Sequence, residues 1–279
     1  MNKKKPFYYY LGVVFLILFS LGPIIWCFIM SLTPEEQLLN SSLKFLPDQW
    51  ILDNYRRILG FGMKEHQVVF NGLKNSFILA VFTLAMGVPI AVLTAYGLTR
   101  YDFFGKKILL RFLLLTTVIP IFSTIIPVYS IFRQWDLLDS MFWTSIIYIS
   151  SFLPLNTWII MNYMKDLPKE LWQAAALDGM NEWWIFTKII LPLCQPIIRT
   201  VFLLMFIMAY KQYIIPMILL SSYDHKVLTM VMSEFMTRDG IHYGLIATTG
   251  IIGIIPPALG AVFFRKYLIS GLTSGAVKG

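Results

Sequence analysis

Few residues in this sequence have the type and spacing that catalytic or metal chemistry requires. The three histidines, His66, His225 and His242, are not spaced as metal ligands on one helix would be. The two cysteines, Cys27 and Cys194, each lie in an apolar stretch and form neither a metal motif nor a disulfide framework. The sequence also lacks the glycine-rich loops that bind ATP or dinucleotides. We therefore expect no catalytic residue, no metal and no cofactor on this chain.

The composition indicates that the chain is surrounded by lipid. Of its 279 residues 57% are hydrophobic and 14% are charged, and the mean hydropathy is +0.69. A soluble domain of this length cannot bury so much apolar surface. The net charge of +8 is then better explained by basic residues retained at the cytoplasmic face than by nucleic-acid binding.

A membrane helix needs about 20 mostly apolar residues, and six stretches meet that requirement. The predicted fold is therefore an all-α integral membrane protein of six transmembrane helices. The predicted spans are about 7–31, 75–99, 109–132, 141–163, 190–220 and 244–264. The first is too long for a signal-peptide core and is interpreted as an uncleaved helix. An inner loop at about 165–190 and a C-terminal tail at 265–279 complete a single transmembrane domain over 1–279.

Basic residues indicate which side of the membrane each loop occupies. An even number of spans places both termini on one side, and the positive-inside rule makes that side cytoplasmic. The supporting residues are Lys3, Lys4, Lys5, Arg100, Lys106, Lys107, Lys165, Lys169, Lys188, Arg265, Lys266 and Lys278. The segment after the first span is predicted to be a small outer excursion, with an amphipathic helix over 53–59.

The predicted spans contain essentially no aspartate or glutamate, since Asp136, Asp139, Asp178 and Glu182 fall in loops. Intramembrane proteases and proton-coupled transporters need such groups within the membrane. An intramembrane enzyme is therefore disfavoured. A stand-alone secondary transporter or channel stays open as an alternative, because unwound backbone carbonyls can bind sodium.

The inner loop has the residues of a short, sharply ended helix. Pro168 and Glu170 suit a first helical turn, and the run Gln173-Ala174-Ala175-Ala176 gives a narrow surface for close packing. Gly179 can supply a left-handed stop, and Asn181 can cap the helix that follows. On these residues alone, two interpretations of the loop are equally supported. It is either a helix that packs against another protein or an ordinary amphipathic loop on the membrane surface.

This loop resembles the "EAA" loop of permease subunits in bacterial binding-protein-dependent ABC importers. The resemblance covers nearly the whole chain and is greatest to maltose-type carbohydrate permeases with a short conserved C-terminal tail. Besides the loop and Ile190-Leu191-Pro192, the matching segments are Lys74-Asn75-Ser76 at the start of the second span, Ala95–Arg100 with Phe104-Gly105-Lys106, Pro127-Val128-Tyr129, Leu167-Pro168 and Gly271–Gly279.

The resemblance implies a type I importer permease in the bacterial cytoplasmic (inner) membrane. It implies a heterodimer with a homologous permease, two ATPase subunits that hold ATP and Mg, and an extracytoplasmic solute-binding protein. The residues implied to contact the ATPase are Glu170, Gln173, Ala174, Ala175, Asp178 and Gly179 in the loop, and Gly275, Val277 and Lys278 in the tail. The implied binding-protein loop spans about 221–243 and includes Tyr223, Glu234 and Arg238.

Two positions depart from the family pattern. The loop's usual glutamate is Gln173 here, and Glu170, one helical turn earlier, could replace its charge. Tyr210-Lys211-Gln212-Tyr213 stands where these permeases have a tryptophan-asparagine motif. A lysine inside a predicted span is a functional candidate, so Tyr210, Lys211 and Tyr213 are substrate-pathway candidates and an acidic oligosaccharide is a candidate cargo. Lys211 could instead reach the interface or pair with a partner's acid, and a sugar phosphate or polyol phosphate also stays open.

Overall fold

A computed structural model describes residues 7–39, 45–237 and 240–273 of the chain. The described residues are mostly helical, which confirms the predicted all-α class. The helices are α1 (Phe7–Ser31), α2 (Glu35–Leu39), α3 (Asp53–Leu59), α4 (Lys64–Arg100), α5 (Lys106–Thr116), α6 (Ile121–Gln134), α7 (Met141–Lys165), α8 (Glu170–Leu177), α9 (Glu182–Trp184), α10 (Leu191–Leu193), α11 (Gln195–Tyr210), α12 (Ile214–Leu219), α13 (Leu228–Glu234) and α14 (Tyr243–Thr273). A π-helical turn (Ile185–Ile190) joins α9 to α10, and a 3-10 turn (Tyr223–His225) precedes α13. Two-residue strands β1 (Met236–Thr237) and β2 (Gly240–Ile241) pair antiparallel.

Within the described residues, four helices are long and apolar enough to cross a membrane, namely α1, α4, α7 and α14. Two bent pairs bring the number to six if each pair is one span: α5 with α6, and Glu182–Leu193 with α11. Length and composition therefore agree with the prediction of six spans.

Proline residues break two of the predicted spans. The sequence predicts one helix over 109–132, but α5 and α6 meet at an angle of 96°. Pro120 precedes α6 in an extended conformation, and proline cannot donate the backbone hydrogen bond that would continue the first helix. The predicted helix over 190–220 is likewise bent by 74° between Leu193 and Gln195, next to Pro196, and it ends at Tyr210.

The outer excursion is shorter than the sequence predicts. The amphipathic helix predicted over 53–59 is confirmed as α3. However, α4 begins at Lys64, so Lys74-Asn75-Ser76 lies inside this helix and does not open it. The first part of α4 is too polar to be recognised as part of a membrane span from hydropathy.

The chain divides into two compact units, the first of which comprises the described residues up to Leu73 together with Leu228–Ile255. In this unit Glu35 caps the start of α14, since its carboxylate accepts hydrogen bonds from the backbone N–H groups of Tyr243 (2.8 Å) and Gly244 (3.2 Å). Asn54 donates to the carbonyl of Ser31 at 3.1 Å. A Cβ on Gly244 would lie 2.4 Å from Asn54 Nδ2, so glycine permits this close approach.

The second unit comprises Lys74–Val227 and the described residues from Pro256 onward. Its core contains α7 and α11, which pack against each other. Met205 of α11 is fully buried and lies so close to Gly87 of α4 that a Cβ there would be 2.9 Å from the methionine sulfur. The inner loop follows α7, which ends at Lys165.

Candidate functional site

The inner loop contains the sharply ended helix that the sequence predicts. Gly179 has a φ of +81°, in the left-handed region that favours glycine. The N–H of Gly179 donates to the carbonyl of Ala176, and the N–H of Met180 donates to that of Ala175, each at 3.1 Å. This pair of bonds is the Schellman arrangement. The predicted stop at Gly179 is therefore confirmed.

The predicted cap of the following helix is also confirmed. Asn181 Oδ1 accepts a hydrogen bond from the backbone N–H of Trp184 at 2.9 Å, and Asn181 itself has an extended conformation. This geometry satisfies one of the free N–H groups at the helix start. Two defined helix ends, separated only by Met180, fix the direction in which the chain leaves α8.

The two faces of α8 differ in burial. Trp172 and Ala175, spaced three residues apart, face the protein interior and are 5% and 3% exposed. Ala175 thus packs against its own chain, although the sequence groups it with Ala174 as a contact for another protein. The opposite face is exposed and comprises Glu170, Gln173, Ala174, Leu177 and Asp178. Leu177 is 88% exposed, which leaves an apolar side chain without cover at the end of the helix.

Aromatic rings hold α8 against the inner end of α4. The ring of Tyr96 stacks on that of Trp172 with 5.8 Å between centroids. The same tyrosine ring lies 4.8 Å from that of Phe186 in the π-helical turn. Both helices that flank Gly179 are therefore packed on one residue of α4.

A polar cluster reinforces this contact. Glu182 accepts a hydrogen bond from the Tyr96 hydroxyl at 2.8 Å. Arg100 donates to the same carboxylate from Nε at 3.1 Å and from Nη2 at 2.6 Å. Such charge-assisted bonds fix orientation as well as distance. The sequence analysis missed this cluster, although the four-residue spacing of Tyr96 and Arg100 places both on one face of α4.

Glu170 and Gln173 both lie on the exposed face of α8. Because they are three residues apart, their side chains are neighbours on that face. Glu170 forms no ion pair with any other residue that the structure describes. A carboxylate is therefore present one turn from the position at which the sequence has glutamine.

The substrate-pathway candidates lie at a break in the helix. Lys211 follows the last residue of α11 and is exposed, so it lies at a helix end, whereas the sequence places it near the middle of a span. A helix C-terminus carries partial negative charge and favours a cation. Tyr210 is buried and stacks on Phe206 at 5.6 Å, and no described residue bonds to its hydroxyl. Tyr213 is half-buried.

Two sets of hydrogen bonds in the second unit hold the start of the outer loop, the segment from about 221 that is predicted to contact the binding protein. Asp139 Oδ1 accepts hydrogen bonds from the backbone N–H groups of Ser221 at 3.1 Å and Ser222 at 3.0 Å. Asn75 Nδ2 donates to the carbonyls of Asp224 at 2.6 Å and Lys226 at 2.9 Å. These contacts shape the beginning of the segment assigned to binding-protein contact.

Of the remaining predicted contact residues, two lie in the described part of the chain and four lie outside it. Tyr223 is 52% exposed, and the ammonium of Lys226 lies 4.8 Å from the centre of its ring. Glu234 is exposed at the end of α13. Arg238 and the tail residues Gly275, Val277 and Lys278 lie outside the described residues. Their assigned contacts remain predictions.

A family model described as the binding-protein-dependent transport system inner membrane component matches residues 87–273. The chain belongs to this family. It is 30% identical over 273 residues to the trehalose/maltose transport system permease protein MalG of Thermococcus litoralis, which covers 96% of this chain and 95% of that protein. It is 29% identical over 266 residues to the arabinooligosaccharides transport system permease protein AraQ of Bacillus subtilis, covering 95% and 92%.

The fold of this inner membrane component is also similar to that of a solved transporter. A bacterial ABC transporter involved in the import of the acidic polysaccharide alginate matches with a TM-score of 0.74 and 21% identity, covering 96% of this chain and 99% of that one. The family and this fold confirm the predicted family and a multi-pass location in the inner membrane.

Proposed function

We propose that this chain is the permease subunit of an ATP-driven carbohydrate importer, and that α8 is the helix through which a separate ATPase moves it. The observation that carries the proposal is the geometry of α8. The helix is stopped at Gly179 and packed on Tyr96 through Trp172, while Leu177 and its neighbours stay uncovered. A helix that is packed on its own chain on one side and exposed on the other can transmit the movement of a bound partner to the rest of the chain.

The proposed role of α8 in an importer also implies a set of partner subunits. A homologous permease would complete the translocation pathway, and two ATPase subunits would bind ATP and Mg and hydrolyse the ATP. A solute-binding protein would deliver the cargo at the outer face. The basic residues at the ends of α4, α5 and α7 support placing α8 and both termini on the cytoplasmic side.

Carbohydrate as the cargo class is supported by the names of two relatives, which are permeases for trehalose/maltose and for arabinooligosaccharides. A specific feature favours an acidic oligosaccharide as the cargo. Lys211 is an exposed cation where the chain unwinds between α11 and α12, and broken membrane helices often form substrate sites.

The direct test uses the complex purified from its own host with its partners and reconstituted in liposomes. We expect ATPase subunits to co-purify with this chain. We also expect a binding protein loaded with an oligosaccharide to stimulate ATP hydrolysis and uptake together. Neutral and acidic oligosaccharides measured side by side identify the cargo. Uptake by this chain without any ATPase would instead indicate a secondary transporter.

A further inference from the structure

A cavity of about 520 Å³ lies beside α8 in the second unit. Its walls come from the inner ends of α4 and α7, from the start of α5, and from the first turn of α8. Arg100 and Lys165 are the last residues of two helices that are long and apolar enough to cross a membrane, so we place the cavity where those helices would leave the hydrocarbon region. Trp172 and Gln173 connect it to the candidate site.

The lining of the cavity is strongly cationic. Four basic side chains and one carboxylate contribute to it: Arg100, Lys106, Lys165, Lys169 and Asp102. Two of the cations are already paired, Arg100 with Glu182 and Lys106 with Asp102. Lys165 and Lys169 form no ion pair within the described part of the chain, although Lys169, after Lys106, also helps to lower the pKa of the Asp102 carboxyl. The cavity therefore has an excess of positive charge that is not compensated by its own walls.

A buried donor also lacks an acceptor here. Trp172 lines the cavity and is 5% exposed. Its indole Nε1 is buried, and no acceptor among the described residues bonds to it. An indole nitrogen can only donate, and a buried donor without a partner is unfavourable. An anionic oxygen in the cavity would pair with the two lysines, beside Trp172.

We propose that this cavity binds the phosphate group of an anionic phospholipid. Its position at the ends of α4 and α7 is that of a headgroup, and basic pockets between membrane helices at the cytoplasmic face are suited to such lipids. Exposed apolar side chains on the adjoining helix α5, namely Ile108 (56%), Leu109 (47%) and Phe112 (60%), provide a surface for acyl chains. The assignment to the cytoplasmic leaflet rests on the orientation given under the proposed function.

The site has a consequence for coupling. A phosphate held by Lys165 and Lys169 would join the end of α7 to the start of α8, next to Trp172. The bound lipid therefore stabilises the packed position of α8, and coupled ATP hydrolysis by the complex depends on anionic lipid.

The test uses the complete transporter complex, delipidated in detergent and titrated with short-chain phosphatidylglycerol. Bound lipid is counted by native mass spectrometry, and the midpoint of thermal unfolding is measured in parallel. Short-chain phosphatidylcholine and inorganic phosphate are the comparison ligands. The variant is Lys165→Gln/Lys169→Gln. The matched control is Lys107→Gln/Arg111→Gln, which removes two exposed cations of α5 that do not line the cavity.

We expect phosphatidylglycerol to bind and raise the midpoint, and inorganic phosphate at the same concentration to do neither. Removing two lysines should weaken phosphatidylglycerol binding about thirtyfold at low ionic strength, while the control keeps the affinity of the unmodified complex. Equal weakening in the control would overturn the proposal in favour of general surface attraction. Equal stabilisation by inorganic phosphate would overturn it in favour of a soluble anion.

A third outcome concerns the ATPase. If the Lys165→Gln/Lys169→Gln variant loses its ATPase subunits and keeps its phosphatidylglycerol, the cavity is a protein contact and the lipid proposal is wrong. Failure of the proposed function looks different, because no ATPase would then co-purify with the unmodified chain while lipid binding persisted.

Discussion

Lys211 is the residue on which the choice of cargo depends. It lies just beyond the C-terminal end of α11, so backbone carbonyls partly balance its charge. Its side chain is exposed and therefore accessible to a solute or to a partner subunit. Lys211 forms no ion pair with any residue that the structure describes, so it keeps its attraction for an anionic ligand.

We predict that Lys211→Met lowers the uptake of an acidic oligosaccharide and leaves the uptake of a neutral one unchanged. Loss of one charge-assisted contact of about 1.5–3 kcal/mol corresponds to roughly a 10- to 100-fold weaker interaction. The measurement is initial uptake by proteoliposomes over a range of cargo concentrations. Lys64→Met is a control, since Lys64 is an exposed cation at the start of α4. Unaltered uptake of the acidic sugar by Lys211→Met would refute the role of this lysine.

At the scale of elements, the cluster formed by Tyr96, Arg100 and Glu182 attaches α9 to α4 and so holds the chain just after α8 ends. The side chains of Arg100 and Glu182 are 30% and 41% exposed, so the ion pair alone stabilises the fold only modestly. The main effect of the ion pair is to fix where the inner-loop helices lie on α4. It does so together with the stacking of Tyr96 on Trp172. Breaking it should loosen α8 without unfolding the protein.

We predict that Arg100→Gln increases amide hydrogen exchange in α8 several-fold, because the carboxylate of Glu182 loses its bidentate partner. ATP hydrolysis should persist in the complex while uptake per ATP falls. Arg56→Gln is the control, because Arg56 forms an exposed ion pair with Asp53 in the other unit. Protection of α8 equal to that of the unmodified protein would show that the aromatic packing alone holds the helix.

The start of the outer loop depends on the charge of Asp139. Burial disfavours this carboxylate, but hydrogen bonds from Ser222 and the nearby His225 outweigh burial and lower the pKa of Asp139. A lowered folded pKa stabilises the contact above the ordinary pKa of aspartate, and this contribution is lost as the pH falls through the lowered value.

We therefore predict that the amides of Ser221 and Ser222 stay protected from about pH 8 to pH 5, after correction for intrinsic exchange rates. Asp139→Asn should weaken that protection at every pH in this range, because a neutral amide oxygen is a poorer acceptor than a carboxylate. Asp136→Asn, in the same turn, serves as the control. Protection in the unmodified protein that disappeared already near pH 6 would contradict the assignment.

Local features of the loop could be predicted from the sequence, and longer-range ones could not. The stop at Gly179 and the cap at Asn181 depend on bonds to residues at most five positions away, so residue types alone indicate them. The contact of Arg100 with Glu182 joins residues 82 positions apart, and only the packing of α9 on α4 reveals it.

The predicted helix boundaries were wrong for a related reason. Hydropathy detects the lipid-facing part of a helix, so it missed the polar start of α4 at Lys64. It also treated 109–132 as continuous, although the bend between α5 and α6 is 96°. Apolar residues continue through that bend, and only the proline at position 120 signals it.

At the scale of the whole molecule, this chain is an inner membrane component, and we propose that other subunits supply the energy for transport. The exposed face of α8, with Glu170, Gln173 and Leu177, is the surface on which that dependence is proposed to act. Glu170 lies one turn from Gln173 and can provide the charge that the resemblance leads us to expect at the latter position. Addition of a second carboxylate at Gln173 should therefore be tolerated.

The most direct test of this account is the ratio of cargo imported to ATP hydrolysed in the reconstituted complex carrying Gly179→Leu. The left-handed φ of +81° at this position costs a residue with a Cβ about 1–2 kcal/mol, which disrupts the stop of α8 more than the overall fold. Gln173→Glu and Gly97→Ala are controls. The first is expected to be tolerated because Glu170 already places a carboxylate on the same face, and a Cβ on Gly97 meets nothing within 4 Å. We predict that uptake per ATP falls about 5- to 30-fold in Gly179→Leu and is unchanged in both controls. Full transport by a properly assembled Gly179→Leu complex would contradict the role of α8 as the coupling helix.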